Sequence, residues 1–201
     1  PDDSRELYDD YCLLAIEDQE RCGLDVVTDG EHRRRGWIEA ITANLPGLEL
    51  RPAPRRLGAL GDDMLDVWRL TRPLDDLEHM WDFAGEFAFL RDHTTRHPRV
   101  GMPGPYGMTT ELDFAGIYPS RKACAEAFVP ALRRHIGELV AAGCDYIQLE
   151  EPITPAVAED DRTPDTMVEL VNKVVDGFGS VTFTLHVCFG SFRRLPYARR
   201  T

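Results

Sequence analysis

Three short stretches of the chain carry residues able to do chemistry. In "TLHVC", His186 and Cys188 stand two positions apart in an alternating apolar run. Side chains at i and i+2 of a strand leave the same face, so an imidazole nitrogen and a thiolate aim at one point. That donor pair suits zinc, whose tetrahedron needs further donors from elsewhere. A buried histidine beside a neutral packing cysteine fits the same two residues. In "QLEEP", Glu150 and Glu151 close an apolar run at a proline. Adjacent residues face opposite sides, so one at most enters a shared site, and by spacing they are not an acid/base pair; two solvated loop acids are the other reading. "TDGE" places Asp29 and Glu31 on one face of a strand end, or in a plain turn built around Gly30.

Arg33, Arg34 and Arg35 follow at once, and Arg193, Arg194, Arg199 and Arg200 crowd the tail; they are candidates for drawing in an anionic substrate, with a solvated surface as the expectation for most. Trp37, Trp68 and Trp81 read as packing. Cys12, Cys22, Cys124 and Cys144, in or just after helices, read as small packing residues.

The elements that must position these groups repeat one grammar. Residues 4–22 predict a helix with Ser4 as N-cap, an apolar face of Leu7, Tyr11, Leu14 and Ile16, and Gly23 as its stop; "LDVVTDGE" follows as a strand. A long helix from residue 120 stops at Gly143 before a strand from Asp145 to Glu150. A helix from residue 164 leads to the strand "VTFTLHVC", and the helix-like "DDLEHMWDFAGEFAFLRDH" leads to "RVGMPGPYGM". Helix, stop, buried strand and polar residues at the strand's C-terminal end form the α/β pattern, in which chemistry sits at that end. Residues 45–72 depart from it as an extended excursion or hairpin, with apolar alternation around a turn-rich middle.

The 201 residues fit one domain. A net charge of -12 argues against a nucleic-acid binder, which needs clustered Lys and Arg. Five scattered cysteines without disulfide spacing suit a reducing cytosol, and no apolar run approaches a membrane span. The expectation is a cytoplasmic protein that engages neither nucleic acid nor membrane.

Taken in order, "GLDVVTDGEHRR", "YIQLEEP" and "HVCFGSF" resemble the catalytic barrel of cobalamin-independent methionine synthase and its shorter relatives, along essentially the whole chain. The resemblance implies a zinc-dependent (β/α)8 TIM-type barrel that moves methyl or alkyl groups onto thiols, a transferase of methionine biosynthesis. Position by position, His186 and Cys188 match the zinc ligands, Glu31 a carboxylate holding the amino group of the thiol substrate, and Glu150 and Glu151 the family's D-E-P acids. No residue is assigned a catalytic role. Glutamate instead of aspartate at position 150 lengthens the side chain by one methylene, so the expectation is a thiol acceptor as a class, in a pocket reshaped relative to one built for homocysteine. The donor implied is a methylated folate or a related compound.

The family's further zinc ligands, a glutamate and a second cysteine, come from strands beyond the H-x-C motif, and its first strand precedes the segment that begins here. The chain is therefore expected to be a single incomplete barrel domain over residues 1–201, lacking the first and last strands, with an oligomer or complementing chain among its partners. Two other readings stand beside this one: a metal-free barrel enzyme of the decarboxylase type, and a non-catalytic half-barrel that needs a partner to bury its edges.

Overall fold

Three of the helices that deliver parallel strands stop at a glycine in the left-handed region. The computed structural model describes residues 3–34, 36, 38–51, 67–75, 77–151 and 164–187. In it α1 (Asp3–Arg21) ends before Gly23, α4 (Arg121–Ala141) before Gly143 and α5 (Pro164–Val175) before Gly177, with φ of 80°, 95° and 83°. Without a Cβ these residues reverse the chain cheaply into β1 (Val26–Val27), β7 (Tyr146–Glu150) and β8 (Thr182–His186). A fourth helix, α3 (Phe83–Asp92), is capped by Asp82, whose side chain accepts from the Gly85 amide, and leads to β4 (His97–Pro98) and β5 (Val100–Pro103).

β1 pairs parallel with β4, and β5 with β7 and β7 with β8, also parallel. Arg99 alone separates β4 from β5, and its amide bonds to the Val27 carbonyl at 2.9 Å. The four segments therefore lie side by side in chain order. The protein is a mixed α/β fold with parallel sheet, as the helix–glycine–strand grammar predicts. A second sheet joins β2 (Leu48–Arg51) antiparallel to β3 (Val67–Leu70) and β3 parallel to β6 (Leu112–Asp113); residues 52–66 lie outside the described residues. The short α2 (Glu39–Thr42) follows β1.

One face of the main sheet carries the core. Val100 and Met102 of β5 and Ile147 and Leu149 of β7 are buried with Phe83, Phe87, Phe128, Leu132, Ile136 and Leu170 from the helices. Each such side chain contributes about 1.5–3 kcal/mol by leaving water. The opposite face is polar: in register, Gly101 stands opposite Gln148 and Gln148 opposite Thr184, and one level up Pro103 stands opposite Glu150 and Glu150 opposite His186.

Several sequence expectations need correction, the first being that α1 begins at Asp3, so Ser4 lies inside it rather than capping it. On α1, Ile16 of the expected face is buried and packs with Val27 and Leu90, and Cys12 is buried near Asp29 and Arg33, whereas Leu7, Tyr11 and Leu14 are exposed. Cys22 is exposed rather than a packing residue; Cys12, Cys124 and Cys144 are buried. Among the described residues no helix is long and apolar enough to cross a membrane.

Candidate active site

The chain leaves β1 through a tight turn that aims Glu31 across the polar face. Gln19 of α1 clamps Thr28, accepting from its amide at 3.0 Å and donating to its carbonyl at 2.8 Å. The Asp29 carboxylate then accepts from the Glu31 amide at 3.0 Å, an Asx turn that both explains the acid before Gly30 and stands in place of a straight strand end. Glu31 itself has φ of 57°, a conformation that costs a non-glycine residue about 1–2 kcal/mol. Asp29 is turned away into the Cys12 and Arg33 side of the turn.

The turn brings Glu31 over β5. A Cβ on Gly101 would lie 2.5 Å from Glu31 Oε1 and 3.4 Å from Glu150 Oε1, so both carboxylates converge on one point and glycine is the residue that leaves room for them. Glu150 is buried and accepts from Gln148 Nε2 at 3.1 Å, while Arg99 fixes the Gln148 carbonyl oxygen at 2.6 Å. His186 presents Nδ1 at 3.8 Å from Glu150 Oε1, with its ring half-exposed. Glu31, Glu150 and His186 thus share one side of the sheet at the strands' C-terminal ends.

Glu151 goes the other way. Its carboxylate accepts from the amides of Tyr106, at 3.0 Å, and Gly107, at 2.7 Å, and packs against Gly104. It organises the loop after β5 and does not join Glu31 and Glu150. Cys188, Trp37, Arg35 and the tail arginines lie outside the described residues.

Burial dominates the electrostatics. It pushes the Glu31 carboxyl up to about 7, against the pull of Arg34 and with help from Glu150. Burial likewise pushes Glu151 up to about 8, in part offset by the two amides it accepts from. Two carboxylates that meet at one point repel each other unless a proton or a cation lies between or beside them, and a cation with hydrogens to donate can satisfy both.

Arg34 departs from its expected place on the solvated surface. Its side chain is 3% exposed, and it donates to Glu86 from Nε at 3.2 Å and from Nη2 at 2.5 Å, donates to the Gly101 carbonyl at 2.9 Å, and pairs with Glu31 at 3.2 Å. Arg33 is also mostly buried, paired with Asp9 and stacked on Phe89. Glu86, Gln148 and Arg99 escaped the sequence reading; the one signal for Glu86 was a lone acid inside the apolar run "FAGEFAFL". A separate cavity of about 620 Å³, lined by Asn44, His79, Arg134, His135 and Glu138 among others, includes none of Glu31, Glu150 and His186.

The donor set for a metal is incomplete among the described residues, where no group of three or more His, Cys, Asp or Glu side chains is placed to hold an ion. His186 has the chemistry for it, a half-exposed imidazole at a strand's end with the Glu150 carboxylate 3.8 Å from Nδ1.

The family described as the catalytic domain of cobalamin-independent synthase matches residues 2–188. The chain belongs to that family. It is 28% identical over 199 residues to a methionine synthase of Sulfurisphaera tokodaii, covering 98% of this chain and 56% of that protein. With a methionine synthase of Pyrococcus abyssi it shares 28% over 193 residues, 95% of this chain and 54% of the other. A B12-independent methionine synthase from Shewanella sp. W3-18-1, solved in complex with selenomethionine, superposes with a TM-score of 0.73 at 26% identity, over 91% of this chain and 52% of that one. The chain spans about half the length of the curated relatives it matches.

Proposed function

We propose that the chain forms part of a zinc-dependent transferase that moves a methyl or alkyl group onto a small thiol, and that Glu31 and Glu150 receive the ammonium group of an amino-acid acceptor. The observation that carries the reading is the convergence of the two carboxylates over Gly101, beside His186. In this reading the four parallel strands are an arc of a (β/α)8 barrel whose polar face is the barrel's interior, and the protein works in the cytoplasm.

His186 and Cys188 would hold the zinc. Bound there, zinc would lower the pKa of the acceptor thiol so that it is a thiolate at neutral pH. The chain's own residues do the rest of the positioning. Glu31 and Glu150 anchor the ammonium end, which fixes where the sulfur lies relative to the strand ends and lines it up for displacement at the donor's methyl carbon. Gln148, locked by Arg99, holds Glu150 in a single orientation. Glu151 holds the loop 104–107 that borders the mouth. A methylated folate or a related compound is the donor.

The test is a transfer assay on the full-length protein with homocysteine and with simple thiols that lack the amino-acid group. Methyl transfer that falls on Glu31→Gln and on His186→Ala is the expected result. Transfer to neither class of thiol by zinc-loaded protein would overturn the reading. Glu150→Asp adds a finer measurement: a gain for homocysteine alone supports a pocket reshaped for another thiol, and homocysteine turning over best with no such gain counts against it.

A further inference from the structure

Glu31 faces a problem of its own making. It is mostly buried, it stands within reach of a second carboxylate, and the turn that presents it is strained. A carboxyl in such a place takes up a proton or rotates away unless a cation holds it. The charged groups facing it are Arg34 and Asp29 from its own turn, Glu150 from β7 and Glu86 from α3. Arg34 is the one cation among them.

Four bonds fix the Arg34 guanidinium. Two donors engage Glu86, itself held by the Trp81 indole N–H at 2.7 Å, and a third contact reaches the carbonyl of Gly101, the residue over which the carboxylates meet. The remaining nitrogen, Nη1, lies 3.2 Å from Glu31 Oε1, the same oxygen that approaches Gly101. One planar group thus ties the turn after β1, the strand β5 and the helix α3 to a single carboxylate oxygen. A lysine offers no such fork.

We propose that Arg34 is a positioning residue, which aims the Glu31 carboxylate at the point above Gly101 and holds its negative charge there, with Glu86 and Trp81 fixing the guanidinium from behind. The proposal rests on the reading that Glu31 receives the acceptor's ammonium group. Arg34 touches no reactant in it. Its effect on the acceptor is exerted through Glu31, so the charge balance of the site is set by a chain from Trp81 through Glu86 and Arg34.

The experiment reads Glu31 directly. The chain is labelled with carboxyl-¹³C glutamate, Glu31 is assigned by its loss in Glu31→Gln, and its titration midpoint is followed by NMR without any acceptor or donor. Arg34→Gln is expected to raise the midpoint by about one pH unit or more, and Arg34→Lys to give back part of that shift. Glu86→Gln is expected to lower it, because a negative charge near Glu31 is removed while the glutamine oxygen still accepts from the guanidinium. Arg91→Gln, at the far end of α3, leaves it unchanged. A midpoint unmoved by Arg34→Gln, or raised by Glu86→Gln, overturns the proposal. If Arg34→Gln does not fold, the opposite signs expected for Arg34→Lys and Glu86→Gln decide it. These midpoints do not depend on transfer. A failed transfer assay with the shifts present would sink the functional reading alone, and working transfer with unmoved midpoints would sink the role of Arg34 alone.

Discussion

Glu150 and His186 are register partners across β7 and β8, and the glutamate's Oε1 lies 3.8 Å from the imidazole Nδ1. The acid that faces Glu31 therefore also faces the histidine at the strand's end. On the proposed reading, ammonium anchor and metal donor would sit at one level of the sheet, which would suit an acceptor whose amino and sulfur ends are a few bonds apart.

Gly101→Ala tests the crowding directly. The new methyl would sit 2.5 Å from Glu31 Oε1, and real Cβ atoms do not approach that closely. The atom in the way is the far end of the flexible Glu31 side chain, which must swing out at little cost in stability. Thermal unfolding should therefore show little change, whereas calorimetry should show a loss of binding to amino-acid ligands. Unchanged ligand binding in the alanine variant would mean that the carboxylates do not meet over this residue in solution.

Zinc binding should depend on His186 and be weak. An imidazole and a thiolate fill half of a tetrahedral site, and lasting sites supply at least three protein ligands. Metal analysis after dialysis against a chelator is expected to find the 201-residue chain largely stripped, and His186→Ala is expected to take up less zinc before dialysis. Stoichiometric zinc that survives both the chelator and the substitution would contradict this assignment.

Glu151 makes stability depend on pH. Its folded pKa of about 8 lies above the ordinary 4.5, so the folded chain holds this proton more tightly than the unfolded chain. The contribution is fully present below about pH 4.5 and is lost as pH rises through about 8. Glutamine at 151 keeps an oxygen for the Tyr106 and Gly107 amides and removes the titration. The melting temperature of Glu151→Gln relative to wild type should rise between pH 5 and pH 8, by an amount on the order of a few kcal/mol in stability. A flat difference would place the carboxyl in a more solvated setting.

The parts of this account that were legible in the sequence are those governed by local rules. Gly23 and Gly143 mark helix ends because only a residue without a Cβ adopts that conformation freely, and the opposite facing of Glu150 and Glu151 follows from strand alternation. The partners were not legible. That Arg34 lies inside, against Glu86 fifty-two positions away, depends on how α3 packs on the turn after β1, and a run of three arginines reads as surface in any local window. The face of α1 was legible only at Ile16, which packs with Val27 and Leu90; Leu7, Tyr11 and Leu14 of the same expected face are exposed. Cys188 and the excursion's middle, residues 52–66, lie outside the described residues, so Cys188 stands as a proposed metal donor on its sequence motif alone.

The central claim is that Glu31 and Glu150 together form the seat of an ammonium group. Calorimetric titration with L-methionine and with its analogue lacking the amino group tests it most directly, in wild type and in Glu31→Gln. Binding of methionine should exceed that of the analogue by about tenfold or more, as expected for a charge-assisted contact of at least 1.4 kcal/mol. It should weaken as pH falls below about 7, where Glu31 takes up its proton. Glu31→Gln should remove both the preference and its pH dependence. Equal binding of the two compounds in wild type, at every pH from 6 to about 8, would contradict the account.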